Sequence, residues 1–443
     1  MNAQALSAKA ENIRSVLRYM DRFKDTAGVI YLDGRVIDSP LFASVVRDIH
    51  LLHQTGMQVV VVPGARRRID EILAESGIAW HTERGARITE EGAMPLIKMA
   101  AFDVSNRVMT SLAGERCTAV IGNWVRARGR GIIEGVDYGT AGEIDRIYAD
   151  AVRTVLSSGF IPIFPCIGWS AGGKPYNISS VRLATEVAAE LRAPKLFFVA
   201  PGAEVNRKRF AVPPSVGTEG ERVPALSVEE AEALIGQNRG TAGEEAQEVL
   251  ELLDAGREAC SRGVERAHIL NGSLDGALPC EVFSDFGSGT MLYKSGYGGI
   301  RSMTLDDIPA VLGVMLPFAE RGILLPRTQA GIAAEYRDYI VFELDGQIRA
   351  CAALHFYDGA QCEIAAIAVD ESFSHMGTGP KLVAFLVDRA RQRKAESVFA
   401  LTTQTADWFE QLGFVPAGIG TLPEKRRAEW TPERGSRAYR LTL

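Results

Sequence analysis

In the first two thirds of the chain, short apolar runs alternate with longer amphipathic stretches. The runs are rich in β-branched residues and bounded by turn residues, and they cover residues 28–32, 57–62, 117–121, 161–164, 195–200 and 268–270. Helical periodicity marks residues 41–54 and 179–191, the second with Ser179 at its N-cap position. Apolar strands that alternate with helices are typical of βαβ units, so the pattern predicts an α/β fold with buried parallel strands.

Two segments interrupt this rhythm. Residues 202–246 are polar and rich in Gly, Pro and Glu, which predicts an exposed insertion. Residues 286–308 carry five glycines. A chain of 443 residues exceeds what one core usually organises. We therefore expect a boundary in this glycine-rich segment, with one domain over residues 1–295 and a second, smaller α/β domain over residues 296–443.

The second domain has a distinct order of elements. Residues 339–344 and 347–356 predict a hairpin around an Asp345–Gly346 turn, and a third strand follows at 362–369. After a loop at 370–379, a helix is expected from Pro380 to about residue 394, because proline suits the first helical turn. A strand at 397–402 and a helix at 406–412 complete the pattern.

Composition excludes several classes of protein. The formal charge is −6, which argues against a nucleic-acid partner. No apolar run approaches the roughly 20 residues of a membrane span, and the N-terminus lacks a signal-peptide core, so we expect no membrane partner and a cytoplasmic location. Six scattered cysteines without C-x-x-C spacing indicate neither a disulfide framework nor a metal site.

A candidate anion site lies between the third strand and the helix of the second domain. The loop contains a G-x-G, and unpaired amides and the helix dipole would point into the same space. Its residues, which would hold a phosphate or pyrophosphate, are Ser374, His375, Met376, Gly377, Thr378 and Gly379. An ordinary turn is the alternative.

The order of these elements, ending in the W-F-x-x-L-G-F of residues 408–414, resembles the GNAT acetyltransferases. The segments EIAAIAV, FALTTQTADWFEQLGF and LPEKRR are similar to the bacterial N-acetylglutamate synthase family. VVVPGARRRID, GVERAHIL and FGSGT in the first domain resemble the amino-acid-kinase-like domain of the same family. The resemblance covers nearly the whole chain. It implies a three-layer kinase-like domain with a mainly parallel sheet, followed by a GNAT domain.

The activity that the resemblance implies is acetyl transfer from acetyl-CoA to the α-amine of L-glutamate, the first step of arginine biosynthesis. By the same resemblance, backbone groups of Ile367, Ala368 and Val369 align the pantetheine arm. The amides of residues 376–379 receive the pyrophosphate. The family's loop usually begins with Arg or Gln, whereas this chain has Ser374, so phosphate binding is expected to rest more on backbone amides.

Acetyl transfer needs a base, an oxyanion site and an acid. The family position of the proposed base is Glu363, although this carboxylate could instead order water or pair with an arginine. Thr402 matches the family's Ser or Thr position and could protonate the leaving sulfur; the alternative is a buried threonine bonded to the backbone. Cys362 alternates to the opposite face of the strand, which favours a core cysteine.

Glutamate carries two carboxylates, so its binding site needs cations that can donate two parallel hydrogen bonds to a carboxylate, as arginine does. The resemblance assigns this role to Arg327 and to Arg434 and Ser436, the last two gripping the substrate side chain. Residues 425–427 could reach the 3′-phosphate of CoA, but a solvated run of charges is favoured.

The first domain is predicted to lack kinase chemistry. Amino-acid kinases carry K-x-G-G and H-G-G-G-P motifs, and this chain has YLDGR at 31–35 and VPGAR at 62–66 instead. The resemblance implies an arginine sensor and a platform for a homo-oligomer, a hexamer in the family. The effector-site candidates are Tyr19, His268, Glu281, Gly287 and Thr290, each of which also has an ordinary structural explanation.

Two other functions remain open from the sequence. The chain could be an acetylglutamate kinase with a regulatory C-terminal domain, against which the missing lysine and glycines speak. It could also be an arginine-binding sensor with a degraded transferase, against which Glu363, the G-x-G loop and the pair Arg434 and Ser436 speak.

Overall fold

The computed structural model describes residues 24–83, 86–213, 216–241, 243–283, 287–294, 299–344, 347–371, 373 and 377–443. The described residues fall into two compact units, one that ends at Lys294 and one that follows it. We therefore keep the boundary at residue 295 as our proposal for the domain division.

An eight-stranded sheet forms the centre of the described part of the first unit. Its order is β14-β16-β15-β13-β1-β2-β10-β5, and all neighbours are parallel except β15 and β16. The strands of this unit, in chain order, are β1 Ala27–Leu32, β2 Gln58–Pro63, β3 His81–Glu83, β4 Ala86–Ile88, β5 Ala119–Ile121, β6 Val125–Gly129, β7 Ile132–Ile133, β8 Val136–Asp137, β9 Gly142–Ile147, β10 Ile161–Ile163, β11 Ile167–Trp169, β12 Pro175–Asn177, β13 Lys195–Ala200, β14 Ala225–Ser227, β15 Arg266–Asn271 and β16 Thr290–Tyr293.

Helices cover both faces of this sheet. Neighbouring residues of β1 and β2 enter different cores, Val29 and Val60 on one face and Ile30 and Val61 on the other. Burial on both faces explains why these strands are continuous apolar runs. The helices are α1 Gly34–Ile37, α2 Phe42–Gln54, α3 Arg66–Glu75, α4 Met94–Gly114, α5 Ala149–Ser157, α6 Ser180–Leu191, α7 Val228–Asn238, α8 Glu244–Ser261 and α9 Ala277–Phe283. The predicted three-layer α/β architecture is confirmed.

Two features of the first unit differ from the sequence prediction. The segment 202–246 is not an exposed insertion, because Phe210 and Val223 are buried and its strand β14 joins the central sheet. A second sheet of order β12-β11-β6-β9 was also not anticipated. Its strands β6 and β9 contain Gly, Arg and Asp rather than apolar runs, so they carry little strand signal.

The second unit is built on a seven-stranded sheet of order β17-β18-β19-β20-β21-β23-β22. Only β20 and β21 are parallel to each other. The strands are β17 Ile300–Ser302, β18 Tyr339–Leu344, β19 Gln347–Tyr357, β20 Gln361–Val369, β21 Ser397–Thr402, β22 Val415–Ala417 and β23 Arg437–Thr442. The helices are α10 Ile308–Glu320, α11 Gln329–Glu335, α12 Thr378–Gln392, α13 Ala406–Gln411 and α14 Glu424–Ala428.

The elements predicted for this unit are present with small shifts. The strands of the hairpin pair in antiparallel register, and their Asp345–Gly346 turn lies outside the described residues. Helix α12 begins at Thr378 rather than Pro380, because Gly377, with φ of 64°, supplies the N-cap. Pro380 still lies in the first turn, where a missing N–H leaves no intrahelical bond unmade.

Strands β20 and β21 separate halfway along their length. Their parallel register runs from Gln361 opposite Ser397 to Ile364 opposite Ala400 and then ends. Ala366 has φ of 53°, and the register of β20 against β19 shifts at the same level. From there to Val369, β20 remains paired with β19 alone among the described strands. The divergence opens a cleft with an unpaired strand edge as one wall.

No helix of the described residues is both long and apolar enough to cross a membrane.

The left-handed conformation of Ala366 generates the first prediction. An L-residue there is strained by about 1–2 kcal/mol, whereas glycine is not. Ala366→Gly should raise the free energy of unfolding by up to about 1 kcal/mol, and Ala366→Val should lower it by at least about 1 kcal/mol. Thermal and urea unfolding measure both changes. The control is Ala365→Gly, one residue earlier in the strand, which should be destabilising by about 0.5–1 kcal/mol. Equal destabilisation by both glycine variants would contradict the strained backbone.

Candidate functional site

Glu363 lies on β20 just before the strands diverge. Its side chain is only 4% exposed. Oε2 accepts hydrogen bonds from the Tyr357 hydroxyl at 2.9 Å and from Arg426 Nε at 2.7 Å. A buried carboxylate must be paired or hydrogen-bonded, and these two donors satisfy that requirement. Because both donors contact Oε2, Oε1 keeps its lone pairs free of hydrogen bonds within the described residues.

Arg426 is the main difference from the sequence prediction. The run 425–427 was expected to be solvated, but the Arg426 side chain is 17% exposed and forms an ion pair with Glu363. Sequence reasoning missed it because three successive cations on a short helix resemble a surface run. Of the two readings left open for Glu363, the pairing with an arginine is present in the structure.

Thr402 ends β21 and faces the same divergence. Its side chain is buried, and Oγ1 accepts N–H bonds from Gln404 at 3.3 Å and Thr405 at 3.0 Å and lies 2.7 Å from Thr405 Oγ1. The backbone-bonded alternative is therefore also present. Amide donors to an oxygen favour its more negative form, so this arrangement remains compatible with a proton donor.

The residues expected to bind the cofactor are only partly described. Ile367, Ala368 and Val369 form the unpaired edge of β20. Gly377, Thr378 and Gly379 begin α12, whereas Ser374, His375 and Met376 lie outside the described residues. Gly379 leaves room for the Trp408 ring, because a Cβ there would lie 3.1 Å from Trp408 Cζ2.

A brace that the sequence did not reveal supports the start of this loop. Arg349 Nη1 donates to Asp370 Oδ2 at 3.1 Å, and its guanidinium carbon lies 4.4 Å from the centre of the Phe373 ring. Thr378 Oγ1 donates to the carbonyl of Phe373 at 3.4 Å. Both described ends of the loop are therefore tied to the strands beneath.

The three substrate candidates lie in two segments that meet. Arg434 Nη2 donates to the carbonyl of Ile323 at 3.1 Å, which brings it to the segment that also carries Arg327. Arg327 packs over the Tyr339 ring and lies 3.5 Å from the Glu335 carboxylate. Burial, reinforced by the nearby Arg426 charge, lowers the pKa of Arg434. The guanidinium groups of Arg426 and Arg434 are thus near each other, and the first of them is paired with Glu363.

Ser436 is buried and is held by a residue that the sequence did not single out. Trp430 Nε1 donates to Ser436 Oγ at 3.0 Å. The hydroxyl proton of Ser436 remains available to a carboxylate. Cys362, by contrast, is fully buried on β20, and burial raises the pKa of its thiol to about 11. A core cysteine is what the geometry supports.

The effector candidates of the first unit form a buried cluster. His268 Nδ1 lies 2.6 Å from Glu281 Oε1, and Glu281 Oε2 accepts amide bonds from Ser288 and Gly289. Gly287 has φ of 52°, and a Cβ there would lie 2.8 Å from Glu281 Oε2. The hydroxyl of Thr290 donates to the Val223 carbonyl. Tyr19 lies outside the described residues.

The protonation of this cluster follows from its burial. Burial, and then the Lys195 charge, lowers the pKa of His268 to about 4, so the ring is neutral at pH 7. Although burial alone would raise the pKa of Glu281, hydrogen bonds from His268 and the two amides lower it. A neutral His268 that donates from Nδ1 has an acceptor at Nε2, and this atom is buried with no hydrogen bond to the described residues. Within the described residues, Nε2 is therefore an acceptor whose hydrogen bond is not made.

A groove of about 1390 Å³ lies at the carboxyl ends of β1 and β2. Its Arg35 occupies the region of the expected lysine motif. The guanidinium bonds Asp33 at 2.9 Å and Glu248 at 2.8 Å, so its charge is neutralised within the protein. In the described ranges, no cluster of three or more His, Cys, Asp or Glu side chains is arranged to bind a metal.

Comparisons with known proteins agree with this architecture. Residues 28–271 match the amino acid kinase family, and residues 317–414 match the acetyltransferase (GNAT) family. The amino-acid acetyltransferase of Pseudomonas putida is 32% identical over 97% of this chain and 98% of its own. The enzyme of the same name from Actinobacillus pleuropneumoniae is 32% identical over 96% of each chain.

Two solved structures of N-acetylglutamate synthase from Neisseria gonorrhoeae are also similar. The one complexed with coenzyme A and L-arginine is 31% identical, covers 98% of this chain and 99% of its own, and has a TM-score of 0.78. The one complexed with coenzyme A and N-acetyl-glutamate is 32% identical at the same coverage, with a TM-score of 0.62.

A kinase-type α/β unit followed by a GNAT sheet with diverging central strands defines an acyltransferase built on two families. The chain belongs to the amino-acid acetyltransferase family. The resemblance identified from the sequence is thereby confirmed, as is the prediction of an acyltransferase enzyme.

The buried His268 generates the second prediction. In the unfolded chain this histidine takes a proton near pH 6.5, but in the folded protein it does so only near pH 4. The unfolded state therefore binds more protons between these values, and stability should fall as the pH drops from 6.5 to 4, by up to roughly 3 kcal/mol from this group.

The measurement is the difference in melting temperature between the wild type and His268→Gln, which keeps a donor toward Glu281. The advantage of the wild type should shrink as the pH falls through this window. A difference that stays constant from pH 7 to pH 4.5 would show that His268 titrates normally.

Proposed function

We propose that this enzyme transfers the acetyl group of acetyl-CoA to the α-amine of L-glutamate, the first step of arginine biosynthesis. The observation that carries the proposal is the buried Glu363 at the divergence of β20 and β21, paired with Arg426, whose charge in turn acts on Arg434. N-acetyl-glutamate and coenzyme A are the ligands of one similar Neisseria structure, which supports the same pair of products.

Acetyl-CoA is the co-substrate, and its thioester supplies the activated acetyl group. The unpaired edge at Ile367, Ala368 and Val369 offers backbone groups to a pantetheine arm. The amides of Gly377, Thr378 and Gly379 lie at the N-terminus of a 15-residue helix, and their partial positive charge suits a pyrophosphate.

The side chains can divide the remaining work. Glu363 Oε1 takes the proton of the ammonium, and the free amine attacks the carbonyl carbon. Backbone N–H groups of the splayed strand stabilise the oxyanion. As the C–S bond breaks, the Thr402 hydroxyl gives a proton to the sulfur, directly or through water. Arg327, Arg434 and Ser436 hold the acceptor. No covalent enzyme intermediate is needed, since Cys362 is sealed in the core.

The kinase-like unit acts as a sensor rather than as a phosphotransferase. With Arg35 bound to Asp33 and Glu248, no side chain of this motif is left to neutralise a transferring phosphate. The buried carboxylate of Glu281 and the acceptor Nε2 of His268 suit a guanidinium ligand, and L-arginine is a ligand of a similar Neisseria structure. Feedback inhibition by L-arginine through His268, Glu281, Gly287 and Thr290 is part of the proposal. The cytoplasmic location and the hexamer remain predictions.

The third prediction concerns the base. In an assay of thiol release from acetyl-CoA with glutamate, Glu363→Gln should lower kcat by about 100-fold to 10,000-fold, because a neutral amide cannot accept the ammonium proton. Cys362→Ala, the adjacent residue on the same strand, is the matched control and should keep kcat within about threefold. Unchanged turnover in Glu363→Gln would remove Glu363 from this role. ATP consumption by the wild type with N-acetylglutamate would support the kinase alternative instead.

The fourth prediction concerns regulation. L-Arginine should inhibit the wild type, and Glu281→Gln should raise the inhibitory concentration by at least about tenfold, because it removes the buried charge that a guanidinium needs. Activity without arginine should persist, since Glu281 is not in the GNAT unit. Cys280→Ser, on the exposed side of the same helix, is the control and should respond like the wild type. A flat rate during arginine titration of the wild type would exclude this regulation.

A further inference from the structure

We propose that Arg426 determines specificity for α-amino acids: its Nε holds the base Glu363, while its two Nη groups bind the carboxylate next to the reacting amine. The inference rests on the proposed function and assigns a residue to one particular carboxylate of the acceptor.

The geometry on the enzyme side uses only part of the guanidinium. Arg426 Nε donates to Glu363 Oε2 at 2.7 Å, and Tyr357 donates to the same oxygen. Neither Nη atom makes a hydrogen bond to the described residues, and neither is sealed from solvent. Nη1 also lies 4.0 Å from the Glu429 carboxylate, whose side chain is 58% exposed, and such a contact contributes little. The two Nη groups of Arg426 are therefore available as parallel N–H donors along one edge of the guanidinium, and together they can bind both oxygens of one carboxylate.

The charges around this edge favour an anion. Arg426 and Arg434 are close enough for the first to lower the pKa of the second, after the larger effect of burial. Glu363 neutralises one of the two cations, and Arg434 is otherwise bonded to a neutral carbonyl. One uncompensated positive charge therefore remains beside the base, and a bound carboxylate would relieve the repulsion between the two guanidinium groups.

The position of the edge selects which carboxylate binds there. In an α-amino acid, the carboxylate and the amine share one carbon, so the group that holds the carboxylate also fixes the amine. Because Arg426 contacts Glu363 directly, a carboxylate on its Nη edge brings the amine to Oε1 of the base. Arg434 and Ser436 are then left for the carboxylate of the glutamate side chain. An amine without an α-carboxylate lacks this anchor.

A comparison of three substrates, with the wild type and three variants, tests the assignment. 4-Aminobutyrate is glutamate without the α-carboxylate, and 2-aminobutyrate lacks the side-chain carboxylate. Thiol release is measured for glutamate and both analogues with the wild type, Arg426→Met, Arg426→Lys and Arg427→Met. The last variant removes the same charge from an exposed position on the same helix.

Arg426→Met should lower kcat/KM for glutamate and for 2-aminobutyrate by about 100-fold or more. It should lower kcat/KM for 4-aminobutyrate far less, by about tenfold or less through the lost contact between Nε and Glu363, so the preference for glutamate over 4-aminobutyrate collapses. Arg426→Lys keeps the positive charge but not the two parallel N–H donors of a guanidinium. Its kcat/KM for glutamate should therefore lie between those of the wild type and Arg426→Met. Arg427→Met should keep the kcat/KM and preference of the wild type.

Equal losses for glutamate and 4-aminobutyrate in Arg426→Met would overturn the proposal, since Arg426 would then act only through Glu363. The melting temperatures of all variants show whether a substitution impairs folding. If Arg426→Met does not fold, Arg426→Lys decides instead. An unchanged ratio of kcat/KM for glutamate to kcat/KM for 4-aminobutyrate in Arg426→Lys would also overturn the proposal. Absence of glutamate-dependent thiol release in the wild type would instead reject the proposed function.

Discussion

The separation of β20 from β21 is the constraint on which the rest of the catalytic unit depends. Two parallel strands that stayed paired would satisfy their backbone groups with each other and leave no room between them. The break after Ile364 and Ala400 frees one edge of β20, and the left-handed Ala366 holds it open. The same break places Glu363 one residue before the last paired residue of β20 and Thr402 two residues beyond the last paired residue of β21. The positions of the proposed base, the proposed acid and the strand edge offered to the cofactor thus all follow from one interruption of the sheet.

The parts of the structure predicted from the sequence are those in which a local pattern decides the outcome. Strands β1, β2 and β13 are buried on both faces, so their apolar runs are unambiguous. The helix after the G-x-G loop and the hairpin before it carry turn residues at the right places. Glu363 and Thr402 came from the family resemblance, and the structure brings both to the divergence.

The remainder could not be predicted because it depends on contacts between distant residues. Arg426 and Glu363 are 63 positions apart, and nothing in the run KRR distinguishes the one arginine that turns inward. Trp430 resembles any aromatic residue until Ser436 folds back against it. The segment 202–246 was misassigned because its composition is polar, although its few apolar residues, such as Phe210 and Val223, are enough to attach it to the sheet.

The ion pair at the base also explains how one enzyme can keep a carboxylate in a nearly dry site and still use it. A buried carboxylate is stable only when it is paired or hydrogen-bonded, and the Arg426 guanidinium and the Tyr357 hydroxyl meet that requirement at Oε2. Because both donors contact the same oxygen, Oε1 is left for the ammonium of an acceptor. In the proposed assignment the guanidinium that orients Glu363 also holds the α-carboxylate of the acceptor. One side chain then fixes the position of the base and of the amine relative to each other, and an amine without an α-carboxylate is not fixed in this way.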